Sequence, residues 1–188
     1  KIALKSGDLN TNKILTIIGS GIVGLSTAIS FKLRNKKAKI LILERGLFAD
    51  GASSKNAGFA CFGSAGELLD DLSKMPENEV WDTVKMRWEG LQILRSRLKD
   101  RNLDFRPYGG YELFKKNGDF EECSDKLPYL NRQIKNLLNL KECYVKKTPE
   151  THRFRSIKGL IFNAYEGQID TSLMMKNLIT LAHKNNIQ

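Results

Sequence analysis

Three glycines and one glutamate near the start of the chain have the types and spacing of a dinucleotide-binding unit. Gly19, Gly21 and Gly24 follow an apolar, β-branched run. Glu44 closes a second apolar run and lies twenty residues after Gly24. In such units the glycines admit a tight turn, the pyrophosphate and a closely packed helix, and the acid binds ribose hydroxyls. Because a carboxylate there repels a 2′-phosphate, the pattern predicts a dinucleotide without that phosphate.

The elements that would position these residues can be predicted from periodicity. We expect a strand at Ile14–Ile18, a helix from about Ile22 to Asn35, and a second strand from Ala38 to Glu44. The helix carries apolar residues at helical spacing. Its N-terminus directs unpaired N–H groups and a positive dipole end towards a phosphate. The structural alternative is a tight glycine turn in an α/β protein that binds no ligand.

The residues after Glu44 resemble a known family. Glu44-Arg45 and the Gly- and Ser-rich segment 51–59 resemble the FAD-dependent oxidoreductases of the D-amino-acid oxidase family, closest to the glycine oxidase and D-amino-acid dehydrogenase branch. The resemblance implies that this segment runs along the pyrophosphate and ribityl chain, which favours FAD over NAD. The predicted cofactor-binding residues are Gly19, Ser20, Gly21, Ile22, Val23, Gly24, Glu44, Arg45, Ser53, Ser54, Lys55, Asn56, Ala57 and Gly58.

The side chains of this segment suit an anionic cofactor. Ser53 and Ser54 add hydroxyl donors, and Lys55 could neutralise phosphate charge. Lys55 occupies the place where some relatives carry a flavin-linking His, so the resemblance implies non-covalent FAD. A covalent link to Cys61 is the less favoured alternative to a small buried thiol.

The resemblance also implies the fold class and the domains. We expect an α/β protein: a Rossmann-like FAD-binding domain (FAD/NAD(P)-binding fold) with an inserted α+β substrate domain, both incomplete in this chain. The expected boundaries are 1–75 for the first part of the FAD-binding domain, 76–165 for the substrate domain, and 166–188 for a return helix.

The activity implied by the family is oxidation of an amino acid or related amine by hydride transfer to the flavin. No dedicated acid or base is required, so no catalytic residue is predicted. Residues that hold the substrate carboxylate are expected beyond Gln188. Two alternatives stay open: a non-catalytic FAD- or dinucleotide-binding module, and a flavin-dependent relative that modifies tRNA.

Composition limits the other function classes. The net charge is +10, but the lysines are scattered, which favours a solvated basic surface over nucleic-acid binding. No apolar run approaches a membrane span. Cys61, Cys123 and Cys143 lack metal-ligand spacing, and His152 and His183 are isolated, so we expect neither metal nor disulfide. Reduced thiols favour the cytoplasm. A small-molecule substrate is the expected partner, and the oligomeric state is not predicted.

The remaining elements follow from periodicity and breakers. After a polar lead-in at 1–13, we expect a short helix after Gly63 and a single long helix from Glu77 to Asn102. Residues 119–140 should form two helical pieces, because Pro128 would break one helix. Other predicted elements are strands at 108–114, 143–146 and 159–164, a one-turn element at 148–150, and a last helix capped by Asp170 or Thr171.

The end of the chain gives one further expectation. In the family a strand of the FAD-binding sheet follows the last helix, so we expect that strand after Gln188. Without it, apolar faces and unpaired backbone would remain at a sheet edge. We therefore expect these 188 residues, expressed alone, to bind FAD weakly, to be aggregation-prone or loosely packed, and to be inactive.

Overall fold

A computed structural model describes residues 14–46, 51–149 and 156–188 of the chain. The polar lead-in at 1–13, His152 and Glu150 of the predicted one-turn element lie outside these ranges. The chain divides into two compact units. The first comprises 1–58, 98–105 and 169–188, and the second comprises 59–97 and 106–168.

The first unit is built on two parallel strands and the helix between them. Strand β1 is Ile14–Ile18, helix α1 is Ile22–Arg34, and strand β2 is Lys39–Leu43. β1 and β2 pair in parallel with Leu15 opposite Ile40. Because parallel strands need a crossover connection, α1 lies between them in sequence and packs on the sheet. These three elements are where the sequence predicted them.

The first unit also contains two later helices and the end of the chain. Helix α4 is Asp100–Leu103 and helix α6 is Thr171–Lys184. α6 packs against α1 and α4. After α6 the chain pairs in parallel with β2 at Ile187 and Ile40, and Gln188 exchanges backbone hydrogen bonds with this strand. Backbone pairing with β2, which was predicted only for residues after Gln188, is therefore present at Ile187 and Gln188.

The second unit combines helices with two small antiparallel sheets. Its helices are α2 (Ala65–Lys74), α3 (Glu77–Leu98, of which Leu98 belongs to the first unit) and α5 (Asn117–Leu138). One sheet pairs β3 (Phe59–Ala60) with β7 (Gly167–Gln168). The other has the order β4-β6-β5, with β4 at Gly110–Phe114, β5 at Tyr144–Lys147 and β6 at Gly159–Asn163. Its core joins apolar residues of α2, α3, α5 and the larger sheet.

The predicted helix from Glu77 to Asn102 is wrong at its C-terminal end. α3 stops at Leu98, and Lys99 adopts a positive φ of 68° before α4 begins. Leu98 and Leu103 are both buried. A continuous helix would place side chains five residues apart about 140° around its axis. The break lets both leucines reach apolar surroundings.

The predicted break at Pro128 is also wrong. α5 is continuous from Asn117 to Leu138 with Pro128 inside it. Pro128 is exposed, whereas Leu127, Leu130 and Ile134 are buried on one side of the helix. Burying this stripe offsets the hydrogen bond that proline cannot donate to the carbonyl of Ser124.

The compact units divide the chain differently from the predicted domains in three places, of which the shortest is 166–168, which belongs to the second unit. Residues 59–75 belong to the second unit, because β3 pairs with β7 and α2 packs on α5. Residues 98–105 belong to the first unit, because α4 packs on α6. The assignment of 1–75, 76–165 and 166–188 to functional domains remains a prediction.

Candidate nucleotide-binding site

The turn between β1 and α1 depends on two glycines that approach each other. Gly19 has a φ of 98°, a conformation that L side chains rarely adopt. Its N–H donates to the carbonyl of Leu43 at 2.7 Å, which ties the turn to the end of β2. A Cβ on Gly24 would overlap the carbonyl oxygen of Gly19. The pattern therefore specifies a turn that only glycines can close.

The N-terminus of α1 meets a serine from the segment after β2. Gly21 is the N-cap residue, with extended backbone angles. The N–H of Ile22 donates to Oγ of Ser53 at 3.0 Å. A Cβ on Gly21 would lie 3.1 Å from the same Oγ atom. The structure thus brings together the glycine turn and the segment 51–58, which were predicted separately, at a point where a side chain at position 21 would crowd Ser53.

The carboxylate of Glu44 is held by three donors. Oε2 accepts from the N–H and the hydroxyl of Ser20, at 2.9 and 2.8 Å, and Oε1 accepts from the N–H of Gly46 at 3.1 Å. Hydrogen bonds to the charged form favour it. Those from the Ser20 backbone, the Gly46 backbone and the Ser20 hydroxyl lower the pKa of Glu44 to about 2. Glu44 is therefore an anion in a fixed place at physiological pH.

The segment 51–58 forms a turn stabilised by its own side chains. The hydroxyl of Ser54 donates to the carbonyl of Gly51 at 3.1 Å. Nδ2 of Asn56 donates to the carbonyls of Ala52 and Ser53, and its Oδ1 accepts from the N–H of Gly58 at 2.9 Å. The Ser54 hydroxyl and the Asn56 amide therefore shape the turn, and their role towards a phosphate stays a prediction.

The end of this segment is fixed to the start of α6. Gly58 has a φ of 74°, and its carbonyl accepts from the N–H of Ile169 at 2.8 Å. The hydroxyl of Thr171 donates to the carbonyl of Ser54 at 3.1 Å. Asp170, not Thr171, caps α6 by accepting from the N–H of Leu173. The sequence offered Thr171 only as a possible cap, and no local signal showed that it supports the segment.

The second unit holds a separate cavity of about 370 Å³ with acidic side chains in its wall. Among the described residues that line it, Glu112 and Glu166 carry charge and none is Lys, Arg or His. Ser64, Tyr144 and Asn163 add polar atoms, and Leu113 and Ile161 are among the apolar ones. Sequence reasoning missed this cavity, because its residues come from α2, all three strands of the larger sheet and the turn after β6.

The two glutamates in the cavity wall have different surroundings. Glu112 accepts from the hydroxyl of Ser64 and the N–H of Gly66, at the N-terminus of α2. Burial raises the pKa of Glu166 to about 7, and the negative charges of Glu112 and Glu67 add to the rise. Nδ2 of Asn163 donates to Oε1 of Glu166 at 3.1 Å and opposes the shift. Glu166 can therefore hold or release a proton near neutral pH.

Comparison with known proteins decides the family. The sequence profile of the DAO family, described as FAD dependent oxidoreductase, matches residues 15–188. The chain belongs to this family of FAD-dependent oxidoreductases. No curated protein matches the chain.

Solved structures share the fold of this FAD-dependent oxidoreductase at low sequence identity. The glycine oxidase of Bacillus cereus ATCC 14579 is 18% identical, with a TM-score of 0.63 over 93% of this chain and 46% of its own. The L-amino acid deaminase of Proteus myxofaciens is 16% identical, with a TM-score of 0.67 over 100% and 40%. The L-alpha-glycerophosphate oxidase of Mycoplasma pneumoniae, solved with FAD bound, is 20% identical, with a TM-score of 0.62 over 93% and 43%. The chain spans less than half the length of each of these structures.

Membership of the family agrees with the prediction from the glycine and serine segments. The structure gathers Ser20, Gly21, Ile22, Glu44 and Ser53 at the β1–α1 turn. The side chains of Val23, Arg45, Lys55, Asn56 and Ala57 are exposed. Their predicted contacts with the cofactor are not tested by the geometry of the protein alone.

In residues 14–46, 51–149 and 156–188, no group of three or more His, Cys, Asp or Glu side chains is placed to hold a metal ion. Across the same ranges, no helix combines the length and apolar character that crossing a membrane requires.

Proposed function

We propose that the chain binds FAD through the turn between β1 and α1 and the segment 51–58. The pyrophosphate would lie at the N-terminus of α1, with Gly21 leaving room for it and Ser53 providing a hydroxyl. Glu44 would accept hydrogen bonds from the adenosine ribose. The observation that carries this proposal is the meeting of Ile22 and Ser53, because it joins the helix N-terminus to the segment that distinguishes the family.

The anionic Glu44 supports a dinucleotide without a 2′-phosphate. Its carboxylate stays charged because Ser20 and Gly46 donate to it. A 2′-phosphate on the ribose would lie next to the carboxylate of Glu44, and the repulsion between the two negative charges would weaken binding. FAD and NAD both satisfy this condition, and the family favours FAD.

Purified protein should reveal which dinucleotide it takes. We expect FAD to bind with the absorption bands of an oxidised flavin and to be displaced by ADP-ribose. NADP⁺ should not displace it, because of the 2′-phosphate. A protein that binds NAD in preference to FAD would contradict the proposal.

We further propose that the substrate is an amino acid or a related amine. When bound, FAD would supply the acceptor for a hydride from the carbon that bears the nitrogen, and the product would be an imine. The acidic cavity of the second unit supports a cationic substrate, since Glu112 and Glu166 are its only described charges. Burial strengthens the attraction between a carboxylate and an ammonium group.

A matched pair of variants tests the amine. Glu166→Gln keeps the size of the side chain but removes one of the two carboxyl groups in the cavity wall and leaves Glu112 in place. In a full-length protein that turns over amines, we expect the KM for an amine to rise about tenfold, equivalent to about 1.4 kcal/mol, with FAD affinity unchanged. Glu89→Gln, on the exposed side of α3, is the control. Turnover of an alcohol substrate with no turnover of any amine would reject the proposed substrate class.

A further inference from the structure

Ser20 occupies an unspecified position of the glycine pattern, yet it makes two of the three side-chain contacts of the ribose-binding acid. Its N–H and its hydroxyl both donate to Oε2 of Glu44, at 2.9 and 2.8 Å. The two residues are 24 positions apart. Ser20 lies in the turn after β1, and Glu44 is the first residue after β2. The contact therefore links the two chain segments on which the nucleotide site depends.

This hydroxyl is not needed to start the helix. The N-cap of α1 is Gly21, and the hydroxyl that reaches the first turn belongs to Ser53. The Ser20 hydroxyl is instead committed to Glu44. The glycine pattern accepts many residue types at position 20, and a side chain without a hydroxyl would leave the backbone N–H as the only Ser20 donor.

The contact matters because Glu44 is exposed. An exposed glutamate samples several rotamers, and ordering it on ligand binding costs side-chain entropy. Three donors on two oxygens hold the carboxylate in place before the ligand arrives. Preorganisation of this kind increases affinity mainly by lowering the cost of binding.

We propose that Ser20 is a positioning and specificity residue of the nucleotide site, whose hydroxyl holds the carboxylate of Glu44 in the orientation that the adenosine ribose requires. The inference rests on the proposed binding of FAD. It adds that discrimination against a 2′-phosphate depends on Ser20 as well as on the acid.

Two substitutions of Ser20 in the full chain separate positioning from folding. Ser20→Ala removes the hydroxyl and keeps the backbone N–H, whereas Ser20→Thr keeps both. The probes are FAD, ADP-ribose and 2′-phospho-ADP-ribose, titrated by calorimetry from pH 2.5 to pH 8, with the melting temperature at each pH as the measure of folding. Ser73→Ala, whose hydroxyl donates to the carbonyl of Asp70 on exposed α2, is the control.

Ser20→Ala should weaken FAD and ADP-ribose about fivefold, as expected for one hydrogen bond to a charged group at an exposed site. It should also lower the preference for ADP-ribose over the 2′-phosphorylated probe. Removing the donor makes Glu44 easier to protonate, so the loss of affinity at low pH should begin at a higher pH than in the parent. Ser20→Thr should restore all three properties.

The outcomes are distinguishable. A parent that binds none of the probes overturns the proposed function and this inference with it. A parent that binds FAD, with Ser20→Ala unchanged in affinity, preference and pH profile, overturns the inference alone. The inference also fails if Ser20→Ala lowers the affinity for FAD but changes neither the pH dependence of binding nor the preference for ADP-ribose over the 2′-phosphorylated probe. That pattern would indicate a general structural role for Ser20.

Discussion

The N–H of Ile22 donates to Oγ of Ser53 across 3.0 Å, although the two residues are 31 positions apart. Ile22 opens helix α1, and Ser53 belongs to the segment that follows β2. The serine satisfies one of the N–H groups that a helix leaves unpaired at its N-terminus. The same atoms are those that a pyrophosphate would use.

Gly21→Ala should weaken FAD binding without unfolding the protein. Its Cβ would lie 3.1 Å from Oγ of Ser53, and Gly21 has a φ of −68°, which alanine adopts without strain. We expect a loss of about tenfold in affinity, or about 1.4 kcal/mol, because the side chain fills the space for the phosphate. Calorimetric titration with FAD measures it.

The matched control is Gly51→Ala in the serine segment. A Cβ at Gly51 would meet no atom within 4 Å. Its FAD affinity should equal that of the parent. Equal losses of FAD affinity in Gly21→Ala and Gly51→Ala would mean that the effect of alanine is not specific to the space next to the N-terminus of α1.

Gly24→Ala should destabilise the first unit. The new Cβ would overlap the carbonyl oxygen of Gly19, which is main chain and cannot rotate away. We expect a decrease of about 1–3 kcal/mol in the free energy of unfolding, measured by urea denaturation. Gly90→Ala in α3, with open space around its Cβ, should be neutral or slightly stabilising. Equal free energies of unfolding for Gly24→Ala and Gly90→Ala would contradict the close approach of Gly24 in α1 to the carbonyl of Gly19.

Much of the first unit could be predicted from sequence because its signals are local. The β-branched run of β1, the helical spacing of α1 and the offset to Glu44 each involve a short stretch, and all three elements formed as expected. The Ser20 contact with Glu44 was not predicted. The contact depends on the direction of the Glu44 side chain at the end of β2 and of the Ser20 side chain before α1. Hydrophobic periodicity predicts the elements but not the directions of these side chains.

The second unit was predicted less well because its decisive contacts are distant in sequence. The hydroxyl of Tyr144 donates to the carbonyl of Gly63 at 2.6 Å, and Glu112 reaches the N-terminus of α2. These pairs place α2 in the second unit. The break at Lys99 likewise follows from burying Leu98 and Leu103 together, and the breaker rule failed at Pro128 because tertiary packing offsets one lost hydrogen bond.

Pro128→Ala should stabilise the second unit. Alanine restores an N–H for the carbonyl of Ser124 and removes the proline ring from the interior of α5. The gain in unfolding free energy should reach at most about 3 kcal/mol, the difference between the two residues in a helix interior. Lys126→Ala, an exposed change in the same helix, should stay within about 0.5 kcal/mol. A lower melting temperature for Pro128→Ala would contradict the structure of α5.

Glu166→Gln should change how stability depends on pH. Burial raises the pKa of Glu166 from its ordinary 4.5 to about 7, so the folded state keeps a proton that the unfolded state has released between those values. Stability from this group therefore falls as pH rises from about 4.5 to about 7 and is constant above. Glutamine cannot titrate and should remove that decline. Melting temperatures of parent and variant that run parallel across this window would contradict the buried carboxyl.

The central claim is that the β1–α1 turn, Glu44 and Ser53 bind FAD, and direct titration of the chain with FAD tests it. We predict one FAD per chain, displaced by ADP-ribose but not by NADP⁺, with an affinity about tenfold lower in Gly21→Ala. The affinity should be weak if these 188 residues are used alone. A folded protein whose FAD binding is weaker than about 1 mM, corresponding to about −4 kcal/mol, or whose binding is unaffected by Gly21→Ala, would contradict the claim.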